Sequence, residues 1–139
     1  MATQAVIAQL RSNGTEVRVI HVINWEHIVP ISLQFERRSD VAHAYQALRD
    51  LTVRDAAALL ARAARELPGR RVCTSTVVRE GEPRRAILDC AAEWRPDVIV
   101  VGSRGKSRLD QLLLGSVSEH LARQATCSVE IVRTANENP

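Results

Sequence analysis

Val98-Ile99-Val100-Val101 is apolar at every position and runs straight into Gly102. A strand with no polar face is normally covered on both sides, as in a parallel sheet flanked by helices. Its flanks agree with that reading. Ahead of it, Ile87, Cys90, Ala91 and Trp94 fall at helical spacing. Pro83 suits the first turn of that helix, and Pro96 forbids its continuation. Behind it, residues 116–124 read as a helix and Val129–Val132 as a strand.

The rest of the chain continues the alternation. Residues 2–11 read as a helix with Val6, Ile7 and Leu10 on one face, stopped at Asn13-Gly14. Glu16–Ile23 (EVRVIHVI) is rich in β-branched residues and predicts a strand. Residues 24–40 have no clean period, contain Pro30 and carry a charged patch at Glu36–Arg38, which predicts a long loop. From about Asp50 a helix is predicted, with Val53, Ala57, Leu60, Ala64 and Leu67 as its buried stripe and Pro68-Gly69 as its end. Val72–Val78 (VCTSTVV) is a more polar strand, expected nearer a sheet edge.

Strands alternating with helices imply an α/β fold, a three-layer sandwich with a mainly parallel open sheet. The 139 residues suit one domain spanning 1–139, with 134–139 as a polar tail. With 45% hydrophobic but only 3% aromatic residues, its core must be aliphatic. The net charge of +3, from 19 basic and 16 acidic residues, is too mixed to argue for nucleic acid. No apolar run approaches the roughly 20 residues that span a bilayer, so no membrane partner is expected. Cys73, Cys90 and Cys127 are odd in number and lack a C-x-x-C pair, which predicts buried, inert thiols in a reducing cytoplasm.

Catalytic patterns are missing from the sequence. His21, His27, His43 and His120 form no metal-ligand spacing, so no metal site is expected, and His21 reads as a packed strand residue. There is no G-x-S-x-G elbow, and Ser103, Ser107 and Ser118 have no identifiable base.

The stretch after the apolar strand is the candidate site. Ligands of open α/β sheets bind beyond the carboxyl ends of the strands, and Gly102 stands there. Gly105, Gly115 and Ser116 follow, the last two opening a helix whose free N–H groups attract anions. Two readings stay open on local grounds. Ser116 and Glu119 spell a capping box, Gly102 and Gly105 can simply turn the chain, and Arg104, Lys106 and Arg108 can be solvated surface charges. Alternatively the glycines cradle a phosphate. It is not a P-loop, because the glycine required five positions before Gly105 is Val100. There is no G-x-G-x-x-G either.

The pattern G-x2-G-x9-G-[ST], met by Gly102, Gly105, Gly115 and Ser116, resembles the nucleotide-binding signature of the universal stress protein family. "RPDVIVVGSRGKSRLDQLLLGSVSEHLARQATCSVEIVR" resembles that family's C-terminal third, and "GTEVRVIHVI" its second strand. The resemblance covers roughly residues 2–133. It implies a five-stranded parallel sheet of the adenine nucleotide alpha hydrolase-like type. It implies ATP, with Mg, as the ligand, and a homodimer, strand-swapped or joined through the last strand at Val129 and Ile131. It places Val22 at adenine and ribose, Val101 and Gly102 at ribose, and Gly105, Gly115, Ser116 and Val117 around the phosphates. The implied function is nucleotide binding in stress response or signalling. A dimeric interaction module without nucleotide is the alternative. A slow ATP hydrolase is a third reading, for which no residue stands out to position a water.

One part of the family pattern has no counterpart in this sequence. The family opens with a strand ending in an acidic motif whose Asp contacts the nucleotide. That strand lies inside the sheet, so its absence predicts a gap of about 10 Å, two strand spacings. Direct pairing of the flanking strands, filling by a segment of a second chain, or a fold that depends on association are the three expected outcomes. Weaker nucleotide binding is expected in each case.

Overall fold

The computed structural model describes residues 6–7, 14–30, 32, 39–67, 72–103 and 115–133. Its elements are β1 (Thr15–Ile23), a 3₁₀ turn (Trp25–His27), α1 (Ser39–Glu66), β2 (Val72–Glu80), α2 (Pro83–Trp94), β3 (Val98–Gly102), α3 (Ser116–Gln124) and β4 (Ser128–Val132). Strands and helices alternate, every strand pairing is parallel, and the architecture is α/β. Of the predicted first helix, Val6 and Ile7 are helical and the remainder lies outside the described residues, as does the tail 134–139. Gly14, just before β1, has φ +92°, a backbone that side chains rarely adopt, so the sequence needs glycine at this turn.

Most expected boundaries hold within two residues, but α1 does not. It begins at Ser39, well before Asp50. Its first half has no apolar stripe because it binds its neighbours through polar and aromatic groups. Tyr45 meets the ring of Trp25 at 6.2 Å, and Arg49 reaches Glu80. The predicted stripe of its second half holds at Leu60 and Leu67, which are buried, and at Val53 and Ala64, which are half-buried, and fails only at Ala57. Ala56 is buried, whereas Ala57 is exposed.

α2 is bounded as its sequence dictates. The Glu82 carboxylate accepts from the Arg85 backbone N–H, Pro83 occupies the first turn, and Arg95 closes the helix in the left-handed region at φ 54°. α1 packs on β1 and β2, while α2 packs on β1, β2 and α3, and α3 packs on β4. The core runs through these contacts as Ile23, Leu60, Leu67, Val72, Cys90 and Leu121. Each large aliphatic side chain there contributes about 1.5–3 kcal/mol by leaving water. Of the three thiols, all free, Cys90 is buried and Cys127 half-buried, while Cys73 is exposed because it points to the opposite face of β2 from the buried Val72.

The sheet is not continuous among the described residues. β1 pairs with β2, from Thr15 opposite Val72 to Ile23 opposite Glu80. β3 pairs with β4, from Val98 opposite Ser128 to Gly102 opposite Val132. The two pairs form separate sheets, so direct pairing of β1 with β3 does not occur. This corrects the expectation that Val98–Val101 is covered all round. Val98 is 41% exposed and Ile99, Val100 and Val101 are half-buried, and among the described residues β3 has a strand neighbour on one edge only. No helix among the described residues is long and apolar enough to cross a membrane.

Candidate functional site

The site is organised by Ser103, the residue that follows β3 and is 6% exposed. Its N–H donates to the Val132 carbonyl at 2.8 Å, which extends the β3–β4 ladder by one bond. Its carbonyl accepts the Gly115 N–H at 2.7 Å. It also accepts the Ser118 hydroxyl at 3.4 Å. These bonds pin the carboxyl end of β3 against the amino end of α3, so both ends of the intervening segment leave from one point. Val101 and Gly102 are thereby brought together with Gly115, Ser116 and Val117. Gly105 lies outside the described residues.

The start of α3 differs from the expected capping box. Gly115, not Ser116, is the N-cap, with φ −62° and ψ 147° and no side-chain capping bond. Ser116 is the first helical residue and is exposed, Val117 is half-buried, and Ser118 is 2% exposed. Ser118, at the third helical position, donates its hydroxyl to the Gly115 carbonyl at 2.9 Å. Glu119 cannot close a box with Ser116 because the frame has moved by one residue. It pairs instead with Arg123 one turn on, at 2.8 Å. The first N–H groups of any α-helix have no intrahelical acceptor. With no side chain capping them among the described residues, the amides of residues 116–118 and the Ser116 hydroxyl form a set of donors near the carboxyl end of β3. Such a set, with the helix's partial positive charge behind it, is suited to an anion.

Val22 stands apart from this group. It lies near the carboxyl end of β1, half-buried and opposite Arg79 of β2, on the other strand pair. The chain just after it is fixed by a polar cluster that the sequence did not reveal. Arg49 Nη2 donates to both Glu80 oxygens at 2.8 and 3.0 Å, and Trp25 Nε1 donates to Glu80 Oε2 at 2.8 Å. The Arg49 guanidinium also lies 5.9 Å from the Trp25 ring centre. The hydrogen bond from Arg49, then that from Trp25, hold the Glu80 carboxyl below the usual carboxylate range. In return Glu80 raises the Arg49 guanidinium further above its ordinary value. Glu80 thus ties α1 and the 3₁₀ turn to the carboxyl ends of β1 and β2.

Sequence reasoning also missed Ser103 and Ser118, which it dismissed for want of a base. Their function here is positional rather than nucleophilic. The available signal was the placement of one serine directly after a strand-ending glycine and another three residues after Gly115.

The chain is similar to known proteins. The model of the Universal stress protein family matches residues 1–133. Universal stress protein YxiE of Bacillus subtilis is 31% identical over 132 residues, covering 95% of this chain and 88% of YxiE. The solved structure of MJ0577, a universal stress protein of Methanocaldococcus jannaschii, superimposes with a TM-score of 0.77 at 25% identity, covering 98% of this chain and 88% of that one. An Arabidopsis thaliana universal stress protein family protein, solved with AMP bound, has a TM-score of 0.61 at 20% identity over 99% of this chain and 79% of its own. Identity and coverage along nearly the whole chain agree with the order of its strands and helices. The chain belongs to the universal stress protein family.

Proposed function

We propose that this chain binds an adenine nucleotide, ATP in the first instance, and holds its phosphates at the junction of β3 and α3. The observation that carries this reading is the Ser103 node, which sets the carboxyl end of β3 near the uncapped amides of Ser116 and Val117. Gly102, Gly105, Gly115, Ser116 and Val117 are the proposed phosphate residues. Val101 and Val22 are proposed on the nucleoside side. The AMP-bound Arabidopsis protein shows that a chain of this fold can hold an adenine nucleotide. A Mg²⁺ ion is proposed to accompany the ATP phosphates. The role in stress response or signalling follows from such binding within this family. The free thiols fit a reducing compartment, and the cytoplasm is the proposed location.

A second reading rests on a different observation. β4 has no strand neighbour beyond β3 among the described residues, and Val129 and Ile131 lie along it. An unpaired edge invites a second copy, and a homodimer through β4 is proposed on that ground. If nucleotide is absent, the chain would act as an interaction module.

The test is direct. Protein purified without added nucleotide is denatured and the supernatant is chromatographed for released adenine nucleotide. In parallel, melting is followed with millimolar ATP. Released nucleotide or an ATP-dependent rise in Tm supports the reading; neither appearing would defeat it in favour of the interaction module.

A further inference from the structure

Two ion pairs that join separate elements meet at neighbouring residues of one strand end. Arg79 and Glu80 close β2, opposite Val22 and Ile23 of β1. Successive strand side chains point to opposite faces. Arg79 accordingly pairs with Glu93 of α2 on one face, and Glu80 with Arg49 of α1 on the other. The Gly81 N–H donates to the Ile23 carbonyl at 3.0 Å, so the pairing of β1 with β2 continues to the last residue of β1. The strand end that carries Val22 is thus tied to helices on both faces.

Glu80 reaches one step further than Arg79. It accepts from Trp25 Nε1 at 2.8 Å, which fixes the first residue of the 3₁₀ turn after β1. The turn is closed within itself. The Asn24 side chain accepts the Glu26 N–H at 3.2 Å, and the Val29 N–H donates to the Trp25 carbonyl at 2.9 Å. Val29 is 6% exposed and anchors the far end. A single carboxylate therefore sets where the chain goes as it leaves the strand.

Stability alone is a poor reason for this cluster. The Arg49 and Glu80 side chains are 42% and 39% exposed, and ion pairs that open to water contribute little. Geometry is what the cluster supplies. Arg49 Nη2 meets both Glu80 oxygens and Trp25 meets one of them, and bonds to an ionised group are shorter and stronger than neutral ones.

We propose that Glu80 is a positioning residue for the nucleoside. Through Trp25 it holds the chain leaving β1, and with it Val22, in the arrangement that receives base and ribose. This rests on the nucleotide reading above and divides the site in two: the Ser103 node serves the phosphates, and the Glu80 cluster serves the nucleoside.

The experiment titrates ATP and inorganic triphosphate by calorimetry into the full wild-type chain, Glu80→Ala, Trp25→Phe and the double variant. Glu80→Ala removes the acceptor altogether. Trp25→Phe keeps a ring against Tyr45 and Arg49 and removes only the Nε1–H donor. If the freed turn leaves the receptive arrangement about one-tenth populated, the apparent Kd for ATP rises about tenfold. That loss is expected for Glu80→Ala, with a smaller one for Trp25→Phe. The double variant should bind ATP as Glu80→Ala does, because the Trp25 bond is already gone. Triphosphate has no nucleoside and should bind each of these proteins alike. Melting curves and circular dichroism verify the folds, and if Glu80→Ala does not fold, Trp25→Phe carries the same comparison. ATP affinity unchanged in the folded variants would overturn the proposal. An equal loss for triphosphate would overturn it too, since that marks a general loosening. Additive losses in the double variant would show the two residues acting separately, with the same consequence. Wild-type protein that binds neither ligand defeats the nucleotide reading itself and this inference with it, whereas variants that match an ATP-binding wild type defeat the inference alone.

Discussion

Replacing Gly115 by Val separates the fold from the site. Gly115 has φ −62° and ψ 147°, an extended conformation that β-branched residues adopt without strain. Its backbone contacts, N–H to the Ser103 carbonyl and C=O from the Glu119 N–H, need no particular side chain. The fold cost is therefore the difference between Gly and Val as N-caps, about 1 kcal/mol. For a domain of this size that is a loss of roughly 3–5 °C in Tm. The isopropyl group, however, stands at the mouth of the helix and hinders an oxyanion from reaching the amides of residues 116–118. A hydrogen bond to a charged group is worth about 1.5–3 kcal/mol, so losing one weakens binding roughly 10- to 100-fold. The assay is calorimetric titration of ATP into wild-type and Gly115→Val protein, with a melt of each. A variant that melts within a few degrees of wild type and binds ATP equally well would refute the cradle. A variant that fails to fold would refute the strain argument, and Gly115→Ala, with the same backbone and less bulk, would then carry the binding comparison.

Ser118→Ala should cost about 1 kcal/mol, because it removes one good hydrogen bond but leaves the Gly115 and Ser103 carbonyls with their backbone donors. Urea unfolding should show the loss, and ATP affinity should fall with it as the two ends of the segment loosen. Leu121 is 0% exposed, so Leu121→Ala should cost about 2–5 kcal/mol through lost transfer energy and a cavity. A lower urea midpoint with an unchanged slope would verify that. The Glu80 carboxyl is held below its ordinary value, so its contribution to stability is present above the unfolded value of about 4.5 and is lost as pH falls through the lower folded value. Because the pair is partly open to solvent the effect is modest. Glu80→Gln should flatten the acid limb of the stability–pH curve below about pH 4.5, as measured by urea midpoints from pH 3 to 7.

The alternation of strands and helices was legible because each element carries its own signal. Examples are the apolar run at Val98–Val101, the proline at position 83 and the glycine at position 14. The early half of α1 was not legible, since its contacts are an aromatic pair and an Arg–Glu bridge between residues 31 apart, and these leave no period. The site was half legible. The glycine spacing marked Gly102, Gly115 and Ser116, but a one-residue shift of the helix start makes Gly115 the cap and hands the hydroxyl function to Ser118. A capping box reads the same in sequence whether or not its frame is used. Direct pairing of β1 with β3 was one of the expected outcomes, and it does not occur. The placement of Arg18 against Trp94 and Ser75 left no signal in the sequence, because it depends on residues 57 or more positions away.

The central claim is that the β3–α3 junction reads phosphate. Parallel titrations of ATP and adenosine into wild-type protein test it most directly. Each amide bond to a charged oxygen adds about 1.5–3 kcal/mol that adenosine cannot obtain. ATP should therefore bind at least tenfold more tightly than adenosine, and inorganic triphosphate should compete with it. Equal affinities for ATP and adenosine, or no binding of either at millimolar concentration, would contradict the account.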